Sequence, residues 1–243
     1  MSNNISKRKR LFLIDTYAIF YRAHFAMIRN PLISSKGMHT SALFGFTNHV
    51  LKLLRKEKPD YLMAASDSPE KTFRHKKYPE YKATREKMPE EMQDQLPYLW
   101  KLLNAMHIPT IEKPGFEADD IIGTITKQAS NSNLDSYIVS GDKDFMQLIN
   151  KNIFLYAPSG RQSDIKIYDK KGVVEKWGLP PEKIIDLLGL MGDSSDNVPG
   201  VRGVGEKTAV KLINEYGSLE SALDHADDVK NKRAREGLQN CQE

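Results

Sequence analysis

Three acidic residues follow short apolar runs at places where buried strands are predicted to end. Asp15, Asp67 and Asp142 each come within three residues of such a run. Ligands of open α/β sheets bind at the carboxyl ends of the strands, so these three side chains are predicted to converge on one crevice. Asp144 follows Asp142 at the same strand end and is expected to join them.

A second group of acids opens a predicted helix. The apolar face of this helix is formed by Ala118, Ile121 and Ile125. Glu117 and Asp120, three residues apart, share the opposite side. Acids in the first turn of a helix also stabilise it by complementing the helix dipole. This segment alone therefore leaves two interpretations open, a metal ligand and a helix-stabilising acid.

A further pair of acids, Asp193 and Asp196, lies in a polar stretch between Gly192 and Asn197. One interpretation is a polar turn in which Asp196 caps the next helix. The other is that both carboxylates belong to the same acidic site. The second interpretation is favoured because carboxylates already gather at the strand ends.

Carboxylates crowded into one crevice raise each other's pKa, and hard divalent cations relieve that repulsion. The six His residues are scattered and the chain holds one Cys, so no His and Cys set suits zinc. Ligation by oxygen alone favours Mg²⁺ or Mn²⁺. Two such ions, about 3.5–4 Å apart, can activate a water and stabilise the leaving oxygen of a phosphodiester. The surplus of acids fits two ions better than one.

Cations and aromatic residues alternate in residues 73–85. Residues 70–87 hold seven Lys or Arg against three acids, an excess equal to the net charge of +4 of the whole chain. Lys and Arg can hold phosphates, while Phe and Tyr offer faces on which unpaired bases stack. Because the segment follows Asp67, it is predicted to overhang the acidic crevice. The alternative is a solvated loop whose aromatic side chains pack on the core.

A glycine turn lies between two predicted helices in residues 197–209. Gly203 and Gly205 let the backbone approach a ligand closely, and the N-terminus of the second helix presents N–H groups to a phosphate. Lys207 adds a positive charge. The pattern is that of a helix–hairpin–helix, which binds duplex independently of its sequence; the alternative is an ordinary capped turn.

The hydrophobic pattern predicts an α/β fold with a mostly parallel sheet flanked by helices. The predicted strands are residues 11–14, 61–65, 137–139 and 152–156, and the predicted helices are residues 43–54, 95–106, 118–129, 181–191 and 207–216. We predict a basic N-terminal tail (1–9), a core (10–172) with an overhanging segment at about 70–95, and a helical module (173–243) whose polar end frays from Asp224 onward. No apolar run is long enough for a membrane span, and the lone Cys241 favours a reducing, cytoplasmic setting.

Seven segments carry a resemblance to a known family. In chain order they are Leu13-Ile14-Asp15, Ser66-Asp67, Phe73-Arg74-His75, Tyr81-Lys82-Ala83 with Arg85, residues 114–120, Gly141-Asp142-Lys143-Asp144, and residues 192–209. Together they resemble the 5′-nuclease (flap endonuclease) domain of bacterial DNA polymerase I. The segments span about residues 11–217 in the family's order, which makes the resemblance specific.

The resemblance implies a PIN-like catalytic core followed by a helix–hairpin–helix module. It implies metal ligands at Asp15, Asp67, Glu117, Asp119, Asp120, Asp142, Asp144, Asp193 and Asp196. It places the catalytic residues Tyr81, Lys82 and Arg85 in the arch, where Lys82 and Arg85 neutralise transition-state charge. It assigns DNA binding to Arg74, Lys77, Gly203, Gly205, Lys207 and Thr208, with a monovalent cation such as K⁺ at the hairpin.

The expected activity is Mg²⁺-dependent 5′-3′ exonuclease and flap endonuclease cleavage of branched DNA, with Mn²⁺ able to substitute. The expected partners are flapped DNA and a DNA polymerase domain or protein, and the expected state is a monomer at the bacterial nucleoid. Thr16 and Ser66 stand where the family usually has Gly and Phe, and the chain stops at Glu243, short of the family's further helices. It is a fragment, a natural truncation or a stand-alone nuclease. Two other functions stay open, an inactive DNA-binding module and a metal nuclease acting on RNA 5′ ends.

Overall fold

The computed structural model describes residues 8–159 and 164–241. In chain order its elements are β1 (Lys9–Asp15), α1 (Thr16–Ala26), α2 (Ser41–Glu57), β2 (Tyr61–Ala65), α3 (Phe73–Lys77), α4 (Glu90–Gln93), α5 (Leu96–Ala105), β3 (Thr110–Ile111), α6 (Ala118–Asn131), β4 (Leu134–Val139), β5 (Ile153–Ser159), β6 (Asp164–Tyr168), α7 (Lys170–Trp177), α8 (Ile184–Met191), β7 (Gly192–Asp193), β8 (Val198–Pro199), α9 (Glu206–Tyr216), α10 (Leu219–Asp224) and α11 (Lys232–Gln239). Short 3₁₀ turns occur at Lys143–Leu148, Pro181–Lys183 and Ala226–Asp228. Among these helices, none is both long enough and apolar enough to cross a membrane.

The elements form two compact units. The first unit holds the described residues up to Thr72 together with Lys87–Phe145 and Ile149–Asp169. The second unit holds Phe73–Glu86, Met146–Leu148 and the chain from Lys170 onward. Residues 73–86, which the sequence analysis placed in the arch of the core, therefore group with the helical unit, because residues 80–85 bond to Asp196 and Asn197.

The first unit contains a six-stranded sheet of order β3-β2-β1-β4-β5-β6. All pairs are parallel except β5 with β6. The predicted mostly parallel sheet is confirmed. The central strand β1 is a continuous apolar run, and Phe12, Leu13 and Ile14 are fully buried, because helices cover both faces of a parallel sheet.

Helix α1 follows β1 without a break and was not predicted. Its sequence is apolar over most of its circumference, so it lacks the one-sided stripe that identifies a surface helix. The Asp15 carboxylate starts the helix by accepting the Ala18 N–H at 3.2 Å. Phe20 then packs edge-on against Phe46 of α2 in the main core of the first unit.

The basic N-terminal tail was predicted to end at residue 9, but β1 begins at Lys9. The Arg8 side chain also takes part in the fold, since its Nε donates to Asp135 Oδ1 at 2.7 Å. Part of this basic run is thus fixed at the start of the sheet by a carboxylate on the neighbouring strand. Residues 1–7 lie outside the described residues.

The C-terminal tail was predicted to fray, and this was wrong. Helix α11 begins after Asn231, whose side chain accepts the Ala234 N–H at 3.1 Å. Ala234, Gly237 and Leu238 are buried and form a narrow apolar face within a polar sequence. A Cβ on Gly237 would stand 2.0 Å from the Arg202 carbonyl oxygen, so α11 packs directly against the glycine turn. The fraying prediction failed because one Leu beside Ala and Gly gives little hydrophobic signal in a polar sequence.

Candidate active site

The sheet order brings the three strand-end aspartates of the first unit together. Strands β2, β1 and β4 are adjacent and parallel, so Asp67, Asp15 and Asp142 follow three neighbouring strand ends. Asp15 is buried, with 7% of its surface exposed. Burial, and to a smaller extent the negative charges of Asp67 and Asp142, together raise the pKa of Asp15 to about 6. The three carboxylates therefore follow neighbouring strand ends, and the charges of Asp67 and Asp142 act on Asp15.

Ser140 connects these strand ends and was not predicted from the sequence. Its hydroxyl donates to Asp15 Oδ2 at 2.8 Å and accepts the Asp142 N–H at 3.1 Å. The Asp144 N–H in turn donates to Asp142 Oδ1 at 2.8 Å. The hydrogen bond from Ser140 lowers the pKa of Asp15, which opposes the effect of burial. The signal in the sequence was the position of Ser140, directly after the last residue of a buried strand.

The acids at the start of α6 take part in hydrogen bonds at the N-terminus of this helix. The Ala118 N–H donates to Asp67 Oδ1 at 2.7 Å, so the α6 N-terminus holds the Asp67 carboxylate. Asp120 Oδ2 accepts the Glu117 N–H at 3.0 Å, which is the helix-stabilising role. Asp119 lies between them in the first turn, and Glu117 is 6% exposed. The Glu117 side chain accepts the Asp120 N–H in return, which completes a capping box, so a metal-ligand role for these acids stays a prediction.

The donor chemistry of the first unit fits a divalent cation that prefers oxygen. Seven of the predicted ligands lie in this unit, at Asp15, Asp67, Glu117, Asp119, Asp120, Asp142 and Asp144. In the parts of the chain that the structure describes, no three His, Cys, Asp or Glu side chains already form a metal-binding group. The metal assignments stay predictions that rest on donor type and on the crowding of negative charge.

We expect the stability of the metal-free protein to depend on the ionisation of Asp15. Its pKa is raised in the folded chain, so its stabilising contribution is present below its ordinary pKa of 3.8 and is lost as the pH rises through about 6. The test compares wild type with Asp15→Asn, whose side chain cannot ionise, and EDTA keeps both proteins free of metal. Asp15→Asn should gain stability over wild type by up to about 3 kcal/mol between about pH 4 and about pH 7. Urea unfolding across this range measures the gain, and a difference independent of pH would contradict it.

The second unit brings its predicted acid pair close to the predicted catalytic cations. Asp193 Oδ1 accepts the Ser195 N–H at 2.8 Å, which forms the polar turn anticipated for this stretch. Asp196 does not cap a helix. Its carboxylate accepts the Tyr81 hydroxyl at 2.8 Å and contacts Arg85 at 3.3 Å and Lys82 at 3.8 Å.

The aromatic residues of residues 73–85 divide between the two interpretations. Tyr81 is 6% exposed and packs inward, as the alternative of a core-packed loop expected. Phe73 and Tyr78 are 38% and 37% exposed, so their faces can meet an unpaired base. The Arg74 guanidinium lies 4.6 Å from the centre of the Phe73 ring. Lys77 is exposed at the end of α3.

The glycine turn of the second unit has the geometry that backbone binding of a phosphate needs. Gly203 has a φ of +84°, which only glycine adopts readily. Gly205 precedes α9, and a Cβ there would meet no atom within 4 Å, so a ligand can come close to its backbone. Lys207 is exposed in the first turn of α9 and Thr208 follows it. The first N–H groups of a helix lack intrahelical partners and can bind an anion.

We expect Lys207→Ala to weaken duplex binding about equally for unrelated sequences. One lost phosphate contact should lower the slope of log K against log salt by about 1. Fluorescence anisotropy from low to moderate salt measures this slope. Lys127→Ala is the control, because Lys127 is exposed on α6 in the other unit. A loss that depends on base sequence, or an unchanged slope, would contradict a phosphate contact.

Comparison with known proteins identifies relatives along the whole chain. Residues 10–178 match the family model described as "5′-3′ exonuclease, N-terminal resolvase-like domain". Residues 179–243 match "5′-3′ exonuclease, C-terminal SAM fold". DNA polymerase I of Bacillus subtilis (strain 168) is 44% identical over 97% of this chain and 26% of the relative. The 5′-3′ exonuclease of Aquifex aeolicus (strain VF5) is 40% identical over 88% of this chain and 72% of the relative.

Solved structures share the fold. The 5′-exonuclease of bacteriophage T5 with bound zinc has a TM-score of 0.77 at 22% identity, over 95% of this chain and 84% of that one. A T5 flap endonuclease complex with DNA and metal ions has a TM-score of 0.78 at 20% identity, over 96% of this chain and 84% of that one. This chain spans about a quarter of the length of the DNA polymerase I relatives.

Proposed function

Since this chain belongs to the 5′-3′ exonuclease family, we propose that it is a metal-dependent, structure-specific 5′-nuclease that cuts DNA at 5′ flaps and branch points. The observation that carries the proposal is the convergence of Asp67, Asp15 and Asp142 at three adjacent strand ends, with the pKa of Asp15 raised to about 6. A binding protein gains nothing from carboxylates that repel phosphate. The same carboxylates are the ligands that a hydrolytic metal site uses.

We assign the seven acids of the first unit to binding Mg²⁺, with Mn²⁺ as a substitute, and keep Asp193 and Asp196 of the second unit as further predicted ligands. When bound, the metal supplies Lewis acidity for phosphodiester hydrolysis. The α6 N-terminus and Ser140 orient the Asp67 and Asp15 carboxylates through hydrogen bonds within the protein itself. This fixed orientation reduces the rearrangement that binding requires.

The basic residues of the second unit take up the nucleic acid. Gly203, Gly205, Lys207 and Thr208 bind the phosphates of the duplex, with K⁺ as a proposed companion at the turn. Lys82 and Arg85 neutralise charge on the reacting phosphate, and Tyr81 is held beside them. Selectivity follows from the shape of the branched substrate. Unpairing of the nucleotides at the cut costs a few kcal/mol, which already unpaired flaps avoid.

The repulsion among the acids predicts that divalent cations stabilise the protein. A cation that binds only the native state adds stability by mass action. Millimolar Mg²⁺ or Mn²⁺ should therefore raise the melting temperature, and the rise should shrink in the double variant Asp142→Asn/Asp144→Asn. Differential scanning fluorimetry with and without the ions measures this. An equal rise in wild type and double variant would show that the ions bind elsewhere.

The partner we propose is a polymerase domain or protein. The DNA polymerase I relatives are about four times longer than the segment matched here, and flap removal has to be coordinated with the synthesis that displaces the flap. We propose that the chain acts as a monomer at the bacterial nucleoid.

The substrate class is tested with flaps of the same branched shape made of DNA or of RNA. A 5′-labelled DNA flap, the matched RNA flap, a single strand and an unbranched duplex are incubated with wild type and Mg²⁺. We expect the DNA flap to be cut fastest, at the branch. Faster cutting of the RNA flap would favour the RNA 5′-end nuclease, and binding without any cutting would favour the inactive DNA-binding module.

A further inference from the structure

Two segments of the second unit that are distant in sequence are joined by two hydrogen bonds to the backbone of residues 80–82. The Lys82 N–H donates to the Asp196 carbonyl oxygen at 2.9 Å. The Asn197 side-chain amide donates to the Glu80 carbonyl oxygen at 2.7 Å, across 117 residues of sequence. Residues 80–85, which we name the cation segment, are therefore fixed to the turn of residues 193–197. The two bonds grip the cation segment on either side of Tyr81.

The side chains add to this attachment. The Asp196 carboxylate accepts the Tyr81 hydroxyl at 2.8 Å and contacts Arg85 at 3.3 Å. Lys82 Nζ stands 3.8 Å from the same carboxylate, and the two side chains are 14% and 23% exposed. Partly shielded contacts of this kind contribute more than ion pairs in open solvent. Asp196 therefore holds Lys82 twice, by accepting its backbone N–H and by contacting its ammonium group.

The backbone on both sides of the contact is held in an uncommon conformation. Lys82 has a φ of +56° and Asn197 a φ of +55°. Lysine rarely adopts the left-handed region, so the surrounding bonds must hold it there. Asparagine is among the residues that tolerate this region best. Asn197 therefore has two properties that its position requires: it tolerates the positive φ, and its amide donates to the Glu80 carbonyl.

We propose that Asn197 is a positioning residue of the nuclease, acting through the cation segment. Its amide fixes the Glu80 carbonyl, and this sets the backbone from which the Lys82 and Arg85 side chains project. In this role Asn197 acts through its bond to the Glu80 carbonyl. The inference rests on the proposed function, because it assigns Asn197 the task of placing the charges that neutralise the reacting phosphate.

The test replaces the amide donor while keeping the backbone conformation. Asn197→Asp keeps the side-chain shape and tolerates a positive φ but presents an oxygen to the Glu80 carbonyl. Asn197→Gly also allows the positive φ and removes the donor without adding charge. Both should slow single-turnover flap cleavage about tenfold while flap Kd in Ca²⁺ changes less than about twofold. Asn214→Asp, an exposed substitution of the same kind on α9, should leave the rate and the Kd unchanged.

A second measurement does not depend on activity. Hydrogen exchange of the Lys82 amide, which donates to Asp196, should accelerate about tenfold in Asn197→Asp and stay unchanged in Asn214→Asp. In a Lys82→Met background, Asn197→Asp should slow cleavage much less than tenfold, because the charge it positions is gone.

The outcomes separate this inference from the proposed function. If wild type binds flaps but never cuts them, the proposed function fails, and the exchange rates still decide whether Asn197 holds the cation segment. If wild type cuts and Asn197→Asp cuts as fast, with unchanged exchange at Lys82, the inference is overturned. A lower melting temperature together with a flap affinity that falls as many-fold as the rate would also overturn the inference, because these changes indicate a purely structural role.

Discussion

Replacing Asp67 by Ala should abolish flap cleavage and leave flap affinity in Ca²⁺ nearly unchanged or slightly improved. Asp67 lies at one of three adjacent strand ends, and its charge adds to the repulsion that raises the pKa of Asp15. Removing the carboxylate deletes a predicted metal ligand, so hydrolysis should fall below detection. Binding should persist because the duplex is held by the glycine turn, and one fewer negative charge faces the phosphates.

A matched variant separates chemistry from folding. Asp67 Oδ1 accepts the Ala118 N–H at 2.7 Å, so Asp67→Ala also removes a helix-capping bond worth about 1 kcal/mol. Asp67→Asn keeps an oxygen acceptor of the same shape and removes only the charge. Both variants should be inactive in single-turnover assays, while only Asp67→Ala should lose stability. Normal cleavage by Asp67→Asn would show that the carboxylate at this strand end is not required.

Replacing Lys82 by Ala should slow single-turnover cleavage by about 10²–10³, the usual effect of losing one positioned charge-stabilising donor. Duplex affinity should be largely retained, because the glycine turn is untouched. Lys82→Ala also removes side-chain packing beside Asp196, at a residue whose φ is +56°, so a second variant is needed. Lys82→Met keeps the length and apolar stem of the side chain and removes the charge alone.

Lys82→Ala and Lys82→Met should slow cleavage by the same factor if the positive charge of Lys82 is what accelerates cleavage. A loss in Lys82→Ala that Lys82→Met restores would assign the residue to packing. Lys127→Ala, exposed on α6, serves as the control for a charge removed elsewhere. Cleavage of a 5′-labelled flap gives the rates, and anisotropy in Ca²⁺ gives the affinities. An affinity loss as large as the rate loss would place Lys82 in binding and not in the chemical step.

Local patterns predicted the sheet and the acids at its edge. The four predicted strands contain short apolar runs, and parallel strands present their carboxyl ends at one edge, so Asp15, Asp67 and Asp142 could be grouped from their places in the chain. The edge strands β3 and β6 were not predicted, because β3 has two residues and β6 alternates polar and apolar residues. Helix α1 was missed because it is apolar on most sides, and α11 was missed because its buried face has only one large apolar side chain, Leu238, beside Ala234 and Gly237. Both misses come from relying on hydrophobic periodicity.

Contacts between distant parts of the chain could not be predicted. Asp196 meets Tyr81 across 115 residues, and nothing local to either residue indicates the pairing. Ser140 joins Asp15 across 125 residues because β1 and β4 are neighbours, which the order of strands along the chain does not reveal. For Asp120 the sequence could not distinguish a helix-stabilising acid from a metal ligand, because both roles use the same residue type at the same position.

The most direct test of the account is to bind wild type to a 5′-labelled DNA flap in Ca²⁺ and then add excess Mg²⁺. We predict tight binding without cleavage in Ca²⁺, followed by release of a short labelled product cut at the branch once Mg²⁺ enters. EDTA added in place of Mg²⁺ should give no product. A flap that stays bound and intact in Mg²⁺ and in Mn²⁺ would contradict the central claim and leave a DNA-binding module in its place.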